Sequence, residues 1–379
     1  MNNLVHISLT HFLYESRILK EVKSITSVNT FKSIYIIALH RDDLKKVERI
    51  ENAILIRIPL KIKRTKFNFK LFSFLELCFR IFYILGRIRF SVVSVHVIDL
   101  LPIAFLIKII KRSKVIYDAH ELETHTSNNK RKILFLTFIE YLFISYVDLI
   151  VVVNKSIESI YKIKYPNMPV VAVYNAPNYI VPKYSNIIRE ELALTNEKTI
   201  FLYQGGLEEG RGIPLLLKAF SEIANKNNVL VFMGYGSLKN DIIQASIENK
   251  NIFLIDAVKP EELLTYTQAC DYGICLIENS CLSYYNSLPN KLLEYLMARK
   301  PVMVSNFPEM KSIVIGHNCG VVVEEFSTNA ILNSIKKLLK MDERIIVLNI
   351  EKIIKSYSWE NQEIELIKAY NKILIQSRW

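Results

Sequence analysis

The chain has 379 residues, 51% of them hydrophobic, and carries 49 Lys and Arg against 37 Asp and Glu, a formal net charge of +12. This length predicts two domains of roughly 150–200 residues, and the hydrophobic content with only 10 Gly and 11 Pro excludes a disordered or repeat-built chain. The five cysteines lack CxxC spacing, which indicates a reducing compartment and gives no metal-binding signature.

The first residues, MNNLVHISLTHF, lack the basic and apolar regions of a signal peptide. The most membrane-like segment, 133–153, contains Glu140 and Asp148, and each of these charges costs roughly 3 kcal/mol at the centre of a bilayer. We therefore expect this segment to be a core helix that runs into a core strand, and we expect a cytoplasmic protein.

The excess positive charge lies in the first half of the chain. Residues 1–175 hold 27 Lys and Arg against 14 Asp and Glu, whereas the remaining residues hold 22 against 23. The charge peaks at 61–90, where basic residues alternate with Phe, Leu and Ile. This segment is either a core helix with snorkelling cations or a surface that docks on anionic headgroups at the inner face of the cell membrane. No nucleic-acid-binding motif accompanies the charge, so no nucleic-acid partner is expected.

Short apolar runs alternate with helical patterns along the whole chain, as in buried parallel strands separated by helices. In the first half the predicted strands are 4–9, 33–39, 53–58, 92–97, 114–119, 149–154 and 170–175. In the second half they are 199–206, 229–236, 251–256, 272–278, 301–306 and 320–325. A polar linker with a short helix at 175–198 joins the halves, and an amphipathic helix covers 358–379. This order predicts two doubly wound α/β domains facing across a cleft.

The segment 287–309 predicts a helix start, a helix and a buried strand. Pro289 suits the first helical position because its missing N–H has no helical partner there. The free N–H groups of the first turn can hold an anion, Lys291 adds positive charge, and Glu294 can accept two hydrogen bonds from a vicinal diol. These groups together describe a site for a nucleoside diphosphate, although an ordinary amphipathic helix with an exposed Glu has the same pattern.

Glycines follow the first two strands of the second half. Gly205 and Gly206 end the first strand, with Arg211 shortly after them, and Gly234 and Gly236 end the second. Glycine lets the backbone approach a ligand closely, although turns between strands and helices also use glycine for geometry. No glycine follows the first strand of the chain and no P-loop motif occurs, which argues against a nicotinamide enzyme or a P-loop enzyme.

Together with the segment 287–309, these glycine loops resemble glycosyltransferase family 4, the large retaining family with the two-domain GT-B fold. The first half carries further matches at 15–22 (ESRILKEV), 95–102 (VHVIDLLP) and 116–123 (IYDAHELE). The resemblance spans most of the chain, and its segments follow one another in the order that the family has.

The resemblance implies two Rossmann-like domains. It predicts an acceptor-binding domain at 1–175, a nucleotide-sugar-binding domain at 176–357 and a terminal helix at 358–379 that crosses back to the first domain. Arg211 and Lys291 are expected to act in catalysis at the donor diphosphate. The expected donor-binding residues are Gly205, Gly206, Gly234, Gly236, Val258, Asn286, Asn290 and Glu294, with Glu294 at the ribose and Val258 near the base.

The sequence departs from the family pattern at two positions. Asn286 stands where the first Glu of the E-x7-E motif is expected, and an amide can hydrogen-bond sugar hydroxyls but cannot stabilise developing positive charge as a carboxylate does. Leu207 replaces a basic residue that is common after the loop glycine, which leaves Arg211 and Lys291 to neutralise the diphosphate. We interpret both departures as subfamily variation.

His120 and Asp99 are the catalytic candidates of the first half. His120 follows a predicted strand, and the resemblance implies a place beside the donor sugar, where it orients a hydroxyl or relays a proton; a structural histidine is the alternative. Asp99 is either a residue of the same rim or a helix N-cap. Asp118 and Glu121 are expected to shape the loop around His120.

The sequence therefore predicts a retaining hexosyltransferase that moves a sugar from a nucleotide-sugar donor to a glycan or lipid-linked acceptor in surface polysaccharide biosynthesis. Positive side chains and a helix N-terminus can stabilise the leaving group, so neither a metal nor another cofactor is expected. Two alternatives stay open, a nucleotide-sugar epimerase of the same fold and a catalytically silent nucleotide-sugar-binding protein.

Overall fold

A computed structural model describes residues 3–13, 15–61 and 67–375, without the side chains of 67–71. The chain divides into two compact units. Unit 1 comprises Met1–Tyr174 and Glu363–Trp379, and unit 2 comprises Asn175–Gln362. The division after Tyr174 lies one residue before the predicted domain boundary.

Unit 1 is built on one eight-stranded sheet. Its strands are β1 (Asn3–Ile7), β2 (Ser33–Leu39), β3 (Val47–Ile50), β4 (Ala53–Ile58), β5 (Val92–Val95), β6 (Lys114–Ala119), β7 (Leu149–Val152) and β8 (Val170–Ala172). The strand order is β3-β4-β2-β1-β5-β6-β7-β8, and β3 pairs antiparallel with β4 whereas the other pairs are parallel. The sequence analysis misses β3 because its half-exposed VERI segment contains no apolar run.

Five helices connect these strands, and four of them share a core. The helices are α1 (Ser16–Ser27), α2 (Phe67–Leu85), α3 (Leu101–Lys111), α4 (Lys130–Phe143) and α5 (Lys155–Lys164). Apolar side chains of α2, α3, α4 and α5 pack into one core cluster. The right-handed crossovers that carry α3, α4 and α5 between neighbouring parallel strands place these helices on the same face of the sheet.

The segment 133–153 forms a helix and then a strand, α4 and β7, as predicted. The helix is not the core helix that we expected. Only Leu136 and Glu140 of this fully described helix are buried, whereas Leu134 and Tyr141 are 73% and 71% exposed. The prediction failed because apolar residues on the outward side of the helix contribute to the same hydrophobic run in the sequence as those on the inward side. In the part of the chain that the structure describes, no helix has the length and apolar character needed to cross a membrane.

The basic segment 61–90 contains α2. Residues 62–66, with three of the basic side chains, lie outside the described residues. Within α2, Leu77, Ile81 and Leu85 are buried in the core. The helix therefore has a core-facing side, as the first of the two sequence-based interpretations requires.

Unit 2 is built on a parallel sheet of six strands. They are β9 (Thr199–Gly206), β10 (Asn228–Tyr235), β11 (Ile252–Asp256), β12 (Tyr272–Cys275), β13 (Val302–Ser305) and β14 (Gly320–Val323). The order is β11-β10-β9-β12-β13-β14, so the direction of winding reverses between β9 and β12. Ligands of such sheets bind at the carboxyl ends of the strands that flank this switch point.

Nine helices belong to unit 2 in the described part of the chain. They are α6 (Ile187–Glu191), α7 (Ile213–Glu222), α8 (Lys239–Glu248), α9 (Pro260–Gln268), α10 (Leu282–Tyr285), α11 (Asn290–Met297), α12 (Pro308–Gly316), α13 (Thr328–Leu338) and α14 (Glu343–Ile353). The short helix α6 lies in the predicted linker. Two series of parallel strands and helices confirm the predicted α/β class.

The last helix, α15 (Trp359–Ile375), begins in unit 2 and continues in unit 1. In unit 1 the ring of Tyr370 meets the ring of Phe31 edge-on at a centroid distance of 6.4 Å. The hydroxyl of Ser24 on α1 donates to the carboxylate of Glu363. These contacts attach α15 to α1 and to the loop that follows α1.

Candidate functional site

The helix α11 begins one position later than predicted. Pro289 is the N-cap residue, with φ −68° and ψ 140°, and Asn290 is the first helical residue. Lys291 and Glu294 are three residues apart and so lie on one side of the helix. The candidate anion-binding and diol-binding groups thus share one turn.

The ammonium of Lys291 is buried and has no hydrogen-bond partner among the described residues. It lies over the ring of Tyr203, with Nζ 3.6 Å from the ring centroid. Burial lowers the pKa of Lys291 to about 8, while nearby Cys275 and Glu294 act to raise it and Arg211 acts to lower it. A buried cation without an anion is costly. Binding of an anion beside this nitrogen would therefore be favourable.

Arg211 lies in the loop between β9 and α7. Its guanidinium carbon stands 4.9 Å from the centroid of the Tyr284 ring on α10. The charge of Arg211 acts on Lys291 and lowers the pKa of that lysine. A cation of a loop and a cation of the first turn of α11 therefore repel each other at the carboxyl end of β9, and a bound anion would relieve that repulsion.

The carboxylate of Glu294 is held by Gln204 of β9. Gln204 Nε2 donates to Glu294 Oε2 at 2.6 Å, and Gln204 Oε1 accepts from the hydroxyl of Thr267 at 2.8 Å. The hydroxyl of Tyr295 accepts from the backbone N–H of Gln204 and donates to the carbonyl of Leu202. Gln204 is fully enclosed, so Glu294 is oriented without any ligand. The sequence analysis misses Gln204, although a glutamine in the apolar strand TIFLYQGG is a usable signal.

The glycines that follow β9 and β10 lie side by side, because Gly205 pairs with Gly234 in the strand register. A Cβ atom on Gly234 would stand 1.9 Å from the carbonyl oxygen of Gly205, and one on Gly236 would stand 2.3 Å from that of Leu207. Neighbouring backbone therefore explains these two glycines, and their contact with a donor stays a prediction. Gly205, at φ 113°, is different because a Cβ atom there would meet Lys291 Nζ at 3.6 Å.

The other predicted donor-binding residues are more widely spread. Asn286 is 7% exposed, and its Nδ2 donates to the carbonyl of Leu282 at 2.8 Å at the end of α10. Gly206 and Asn290 are exposed, and Val258 is half-buried in the loop after β11. The structure thus brings Arg211, Lys291, Glu294 and Gly205 together. The amide of Asn286 instead donates to the backbone at the end of α10.

In unit 1 a buried polar network surrounds Asp118 of β6. Arg17 of α1 donates to both carboxylate oxygens, from Nη2 to Oδ1 at 2.8 Å and from Nε to Oδ2 at 3.0 Å. Oδ2 also lies 3.0 Å from His96 Nδ1 and 3.2 Å from His120 Nε2. Burial would raise the pKa of Asp118, but Arg17 and the two histidines hold it well below its ordinary value. Asp118 therefore anchors side chains inside the sheet, and its contact with His120 agrees with the role at the loop that we expected.

Two buried histidines extend this network. His6 Nδ1 lies 2.9 Å from His96 Nε2, and the rings stack with centroids 5.1 Å apart. Because ionised Asp118 accepts from His96 Nδ1, His96 Nε2 is an acceptor and His6 Nδ1 is the donor to it. Burial lowers the pKa of both His6 and His96, so both rings are neutral. His120 Nε2 lies 3.2 Å from the same carboxylate oxygen and 3.2 Å from His96 Nδ1, so Nδ1 is the His120 ring nitrogen outside these contacts.

A cavity of about 440 Å³ opens beside this network, and His120 and Asp99 line it. The side chain of His120 is 34% exposed. Asp99 is exposed in the 3-10 turn Ile98–Leu100, whose N-cap residue is Val97. Asp99 is therefore not the N-cap, and the two candidates predicted from the sequence share one cavity.

Glu123 also lines this cavity and is missing from the sequence-based candidates. Burial raises the pKa of Glu123 well above its ordinary value, although the backbone N–H of Ile98 donates to one carboxyl oxygen. Glu123 therefore adds a buried carboxyl group to the wall of the cavity that His120 and Asp99 line. Glu123 lies only five residues beyond Asp118 in the DAHELE segment, but the sequence does not show that its side chain is buried.

Two overlapping groups of ligand atoms in the described part of unit 1 have a spacing suited to a metal ion, namely His6 with Glu21 and His96, and the group around Asp118. Atoms of His96, Asp118 and His120 lie within 4.8 Å of one another. Two observations favour the hydrogen-bonded network instead. The contacts to Asp118 have hydrogen-bond lengths, and Arg17 donates to both of its carboxylate oxygens and would repel a cation. The absence of a metal from the reaction stays a prediction.

The sequence analysis finds His120 but misses the side chains that support it, namely His6, His96 and Arg17. A usable signal existed for two of them. His6 lies in β1 and His96 directly follows β5, and neighbouring parallel strands bring their ends to one edge of the sheet. Arg17 is part of the segment 15–22 that contributed to the resemblance, although no role was assigned to it there.

Comparison with known proteins agrees with the architecture of both units. Residues 185–351, all in unit 2, match the sequence profile of the family described as Glycosyl transferases group 1. Lipopolysaccharide 1,2-N-acetylglucosaminetransferase of Salmonella typhimurium is 25% identical over 217 residues, which make up 51% of this chain and 55% of that protein. The chain therefore matches about half the length of this relative.

Solved structures extend the likeness to the whole chain. Sucrose-phosphate synthase of Thermosynechococcus elongatus superposes with a TM-score of 0.82 at 14% identity, covering 100% of both chains. The Anabaena protein HepE in complex with UDP gives a TM-score of 0.72 at 11% identity, covering 98% of this chain and 100% of that one. Identities this low show the fold alone, and family 4 in particular stays a prediction. The predicted recognition is confirmed at the level of the family model, which matches residues 185–351 of unit 2, and the predicted GT-B fold agrees with the solved structures.

Proposed function

We propose that the chain is a retaining glycosyltransferase that moves a hexose-type sugar from a nucleotide-sugar donor to a glycan or lipid-linked acceptor in surface polysaccharide biosynthesis. The buried ammonium of Lys291, which lacks a hydrogen-bond partner in the described part of the chain, carries this proposal. It lies on the same helix turn as Glu294, a carboxylate that Gln204 holds in place. An anion and a nearby diol are the features of a nucleoside diphosphate that these two groups would recognise.

In the proposed donor complex, Lys291 and Arg211 contact the diphosphate and Glu294 accepts from the ribose hydroxyls. Fixed positive charge stabilises the departing diphosphate without reorganisation during the reaction, so we propose that no metal takes part. The base would lie near Val258, at the end of β11. The complex of HepE with UDP supports a uridine nucleotide as the donor leaving group.

We further propose that the cavity of unit 1 takes the acceptor. His120 Nδ1, the ring nitrogen outside the contacts with Asp118 and His96, would orient a substrate hydroxyl. In the transfer step the bond from the acceptor oxygen to the anomeric carbon forms, the bond from that carbon to the diphosphate breaks, and the hydroxyl proton passes to the departing phosphate. The lipopolysaccharide N-acetylglucosaminetransferase among the relatives supports a surface glycan as the acceptor.

A catalytically silent nucleotide-sugar-binding protein is the second candidate, and Asn286 favours it. The amide stands where the resemblance leads us to expect a carboxylate, and its Nδ2 donates to the backbone at Leu282. Asn286 therefore offers no negative charge to an oxocarbenium-like transition state. The nucleotide would bind equally well in either case.

A panel of UDP-, GDP- and ADP-sugars, tested first by thermal shift and then by donor hydrolysis, separates these functions. We expect a UDP-sugar to raise the melting temperature and to release free sugar and UDP slowly. Glu294→Ala should abolish the shift, whereas Glu222→Ala on α7 should preserve it. A shift without hydrolysis indicates the silent binder, and the absence of any shift contradicts the proposed donor site.

A further inference from the structure

Three helices in one layer of unit 1 expose large apolar side chains. On α4 they recur at helical spacing along the outward side. Across α2, α3 and α4 the exposed residues are Phe72, Leu75, Phe79, Tyr83, Leu106, Ile109, Ile110, Leu134, Phe135, Phe138, Tyr141 and Leu142. We call these twelve residues the apolar face; each is at least 40% exposed.

The parts of the apolar face on α3 and α4 adjoin because these two helices pack together, and α2 joins them through a shared core. The ring of Phe105 on α3 lies 5.4 Å from the ring of Phe143 on α4 and 4.4 Å from the ring of Tyr146. The inner sides of α2, α3 and α4 share a single core cluster. The six aromatic residues of the face alone expose on the order of 500 Å², which is comparable with the largest apolar patch on a typical monomer, roughly 300–600 Å² and often functional.

Basic side chains lie at the ends of the helices that carry the apolar face. Lys130, Arg131 and Lys132 form the first turn of α4 and are exposed, and Lys111 and Arg112 stand at the end of α3. The apolar face therefore has positive charge at the start of one helix and at the end of its neighbour.

Acidic groups are almost absent from the same helices. The sequences of α2, α3 and α4 contain two carboxylates, Glu76 and Glu140. Glu140 is buried, accepts from the hydroxyl of Tyr161 and pairs with Lys164. Glu76 pairs with Arg80 one turn away. No exposed carboxylate of these helices therefore opposes the surrounding cations.

We propose that the apolar face docks on an anionic lipid bilayer, with α2, α3 and α4 lying in the plane of the interface. The apolar side chains would enter the boundary between headgroups and acyl chains, and the flanking cations would meet the phosphates. A second copy of the chain is a poorer occupant because it would bring the same cations face to face. The sequence pointed to α2 alone, whereas the structure adds α3 and α4. The docking does not depend on the proposed transferase activity.

Vesicle flotation with two matched double variants tests this surface. Leu134→Glu/Phe138→Glu changes residues of the apolar face that are 73% and 56% exposed. The control, Ile247→Glu/Ile345→Glu, changes residues of unit 2 that are 74% and 56% exposed. Both variants change the net charge equally, so a difference between them reports the position of the change and not its charge.

In low salt, we expect the wild-type protein to bind phosphatidylglycerol vesicles at least about tenfold more tightly than phosphatidylcholine vesicles. The variant of the apolar face should bind roughly tenfold or more weakly than the control, because buried apolar area drives interfacial binding. Lys130→Gln/Arg131→Gln should weaken binding by about fivefold per charge, and high salt should remove that effect.

Equal binding by the two glutamate variants would overturn the proposal, as would failure of the wild-type protein to bind anionic vesicles. A dimer that only the apolar-face variant disrupts would assign the surface to a second copy of the chain. UDP affinity should be unchanged in both variants, provided that their circular dichroism matches the wild type. A failure of membrane docking is thus distinguishable from a failure of the proposed donor site.

Discussion

Unit 1 buries a carboxylate among three hydrogen-bonding partners, whereas unit 2 buries an ammonium that has none in the described part of the chain. Asp118 is bonded to Arg17, His96 and His120. Lys291 has only the face of the Tyr203 ring. The first arrangement fixes side chains in place, and the second carries a cost that a bound anion removes. The difference supports the proposal that Lys291 binds a ligand at some expense of stability, whereas Asp118 stabilises the side chains around it in unit 1.

The largest effect is expected from Asp118→Asn. An amide removes the paired counter-charge that accepts two hydrogen bonds from the buried guanidinium of Arg17 and leaves it the carboxylate of Glu21 at 3.3 Å, so we expect the free energy of unfolding to fall by about 3 kcal/mol. Hydrogen exchange should locate the change at the amides of β5 and β6 and leave those of β9 and β10 unaffected. The exposed ion pair between Asp43 and Arg41 provides the control, since Asp43→Asn should leave stability unchanged. Equal stability of the two variants would refute the anchoring role of Asp118.

Lys291→Met should have opposite effects on binding and stability. Loss of the charge should weaken UDP binding by roughly 100-fold, while the free energy of unfolding without ligand should stay constant or rise by about 1 kcal/mol, because an unpaired buried cation is removed. Calorimetric titration and chemical denaturation measure the two quantities. Lys218→Met, on the exposed side of α7, should change neither. A Lys291 variant that loses stability and keeps its affinity for UDP would contradict the proposal that this side chain binds a ligand at the expense of stability.

A smaller effect is expected from Gln204→Leu, which removes the hydrogen bond that orients Glu294. UDP affinity should fall by about tenfold, since Glu294 remains but is no longer held in place. Gln244 on α8 gives a matched control, because its Nε2 donates to Glu248 at 2.7 Å on an exposed surface. Gln244→Leu should leave the affinity unchanged. If the two variants bind UDP alike, the orientation of Glu294 contributes nothing to binding.

The elements of the fold were largely predictable, because hydrophobic periodicity depends on local sequence. The bounds of β2, β4, β6 and β9 agree with the predicted strands. What a helix packs against is not local information. For α4 the apolar run was correctly assigned to a helix, but the sequence does not show that its Phe138 side faces away from the sheet.

In the candidate site, too, features that depend on local sequence were predicted and long-range contacts were missed. Lys291 and Glu294 were identified because their chemistry and their spacing lie within one helix turn. Gln204 was missed because it meets Glu294 across 90 residues of sequence, through the pairing of a strand with a helix. The partners of Asp118 are similarly distant, with Arg17 standing 101 residues away. Contacts between residues so far apart in the sequence can be predicted only when the order of the strands in the sheet is known.

Proton uptake on UDP binding tests most directly whether Lys291 binds the diphosphate. Unliganded Lys291, with a pKa of about 8, is roughly nine-tenths deprotonated at pH 9, and a bound diphosphate would raise that pKa. Calorimetric titration at pH 9 in two buffers of different ionisation enthalpy measures the uptake. The wild-type protein should take up close to one proton for each UDP bound, whereas Lys291→Arg, whose side chain stays charged, should take up none. Equal uptake by the two proteins, or none by the wild type, would contradict the role of Lys291 at the diphosphate.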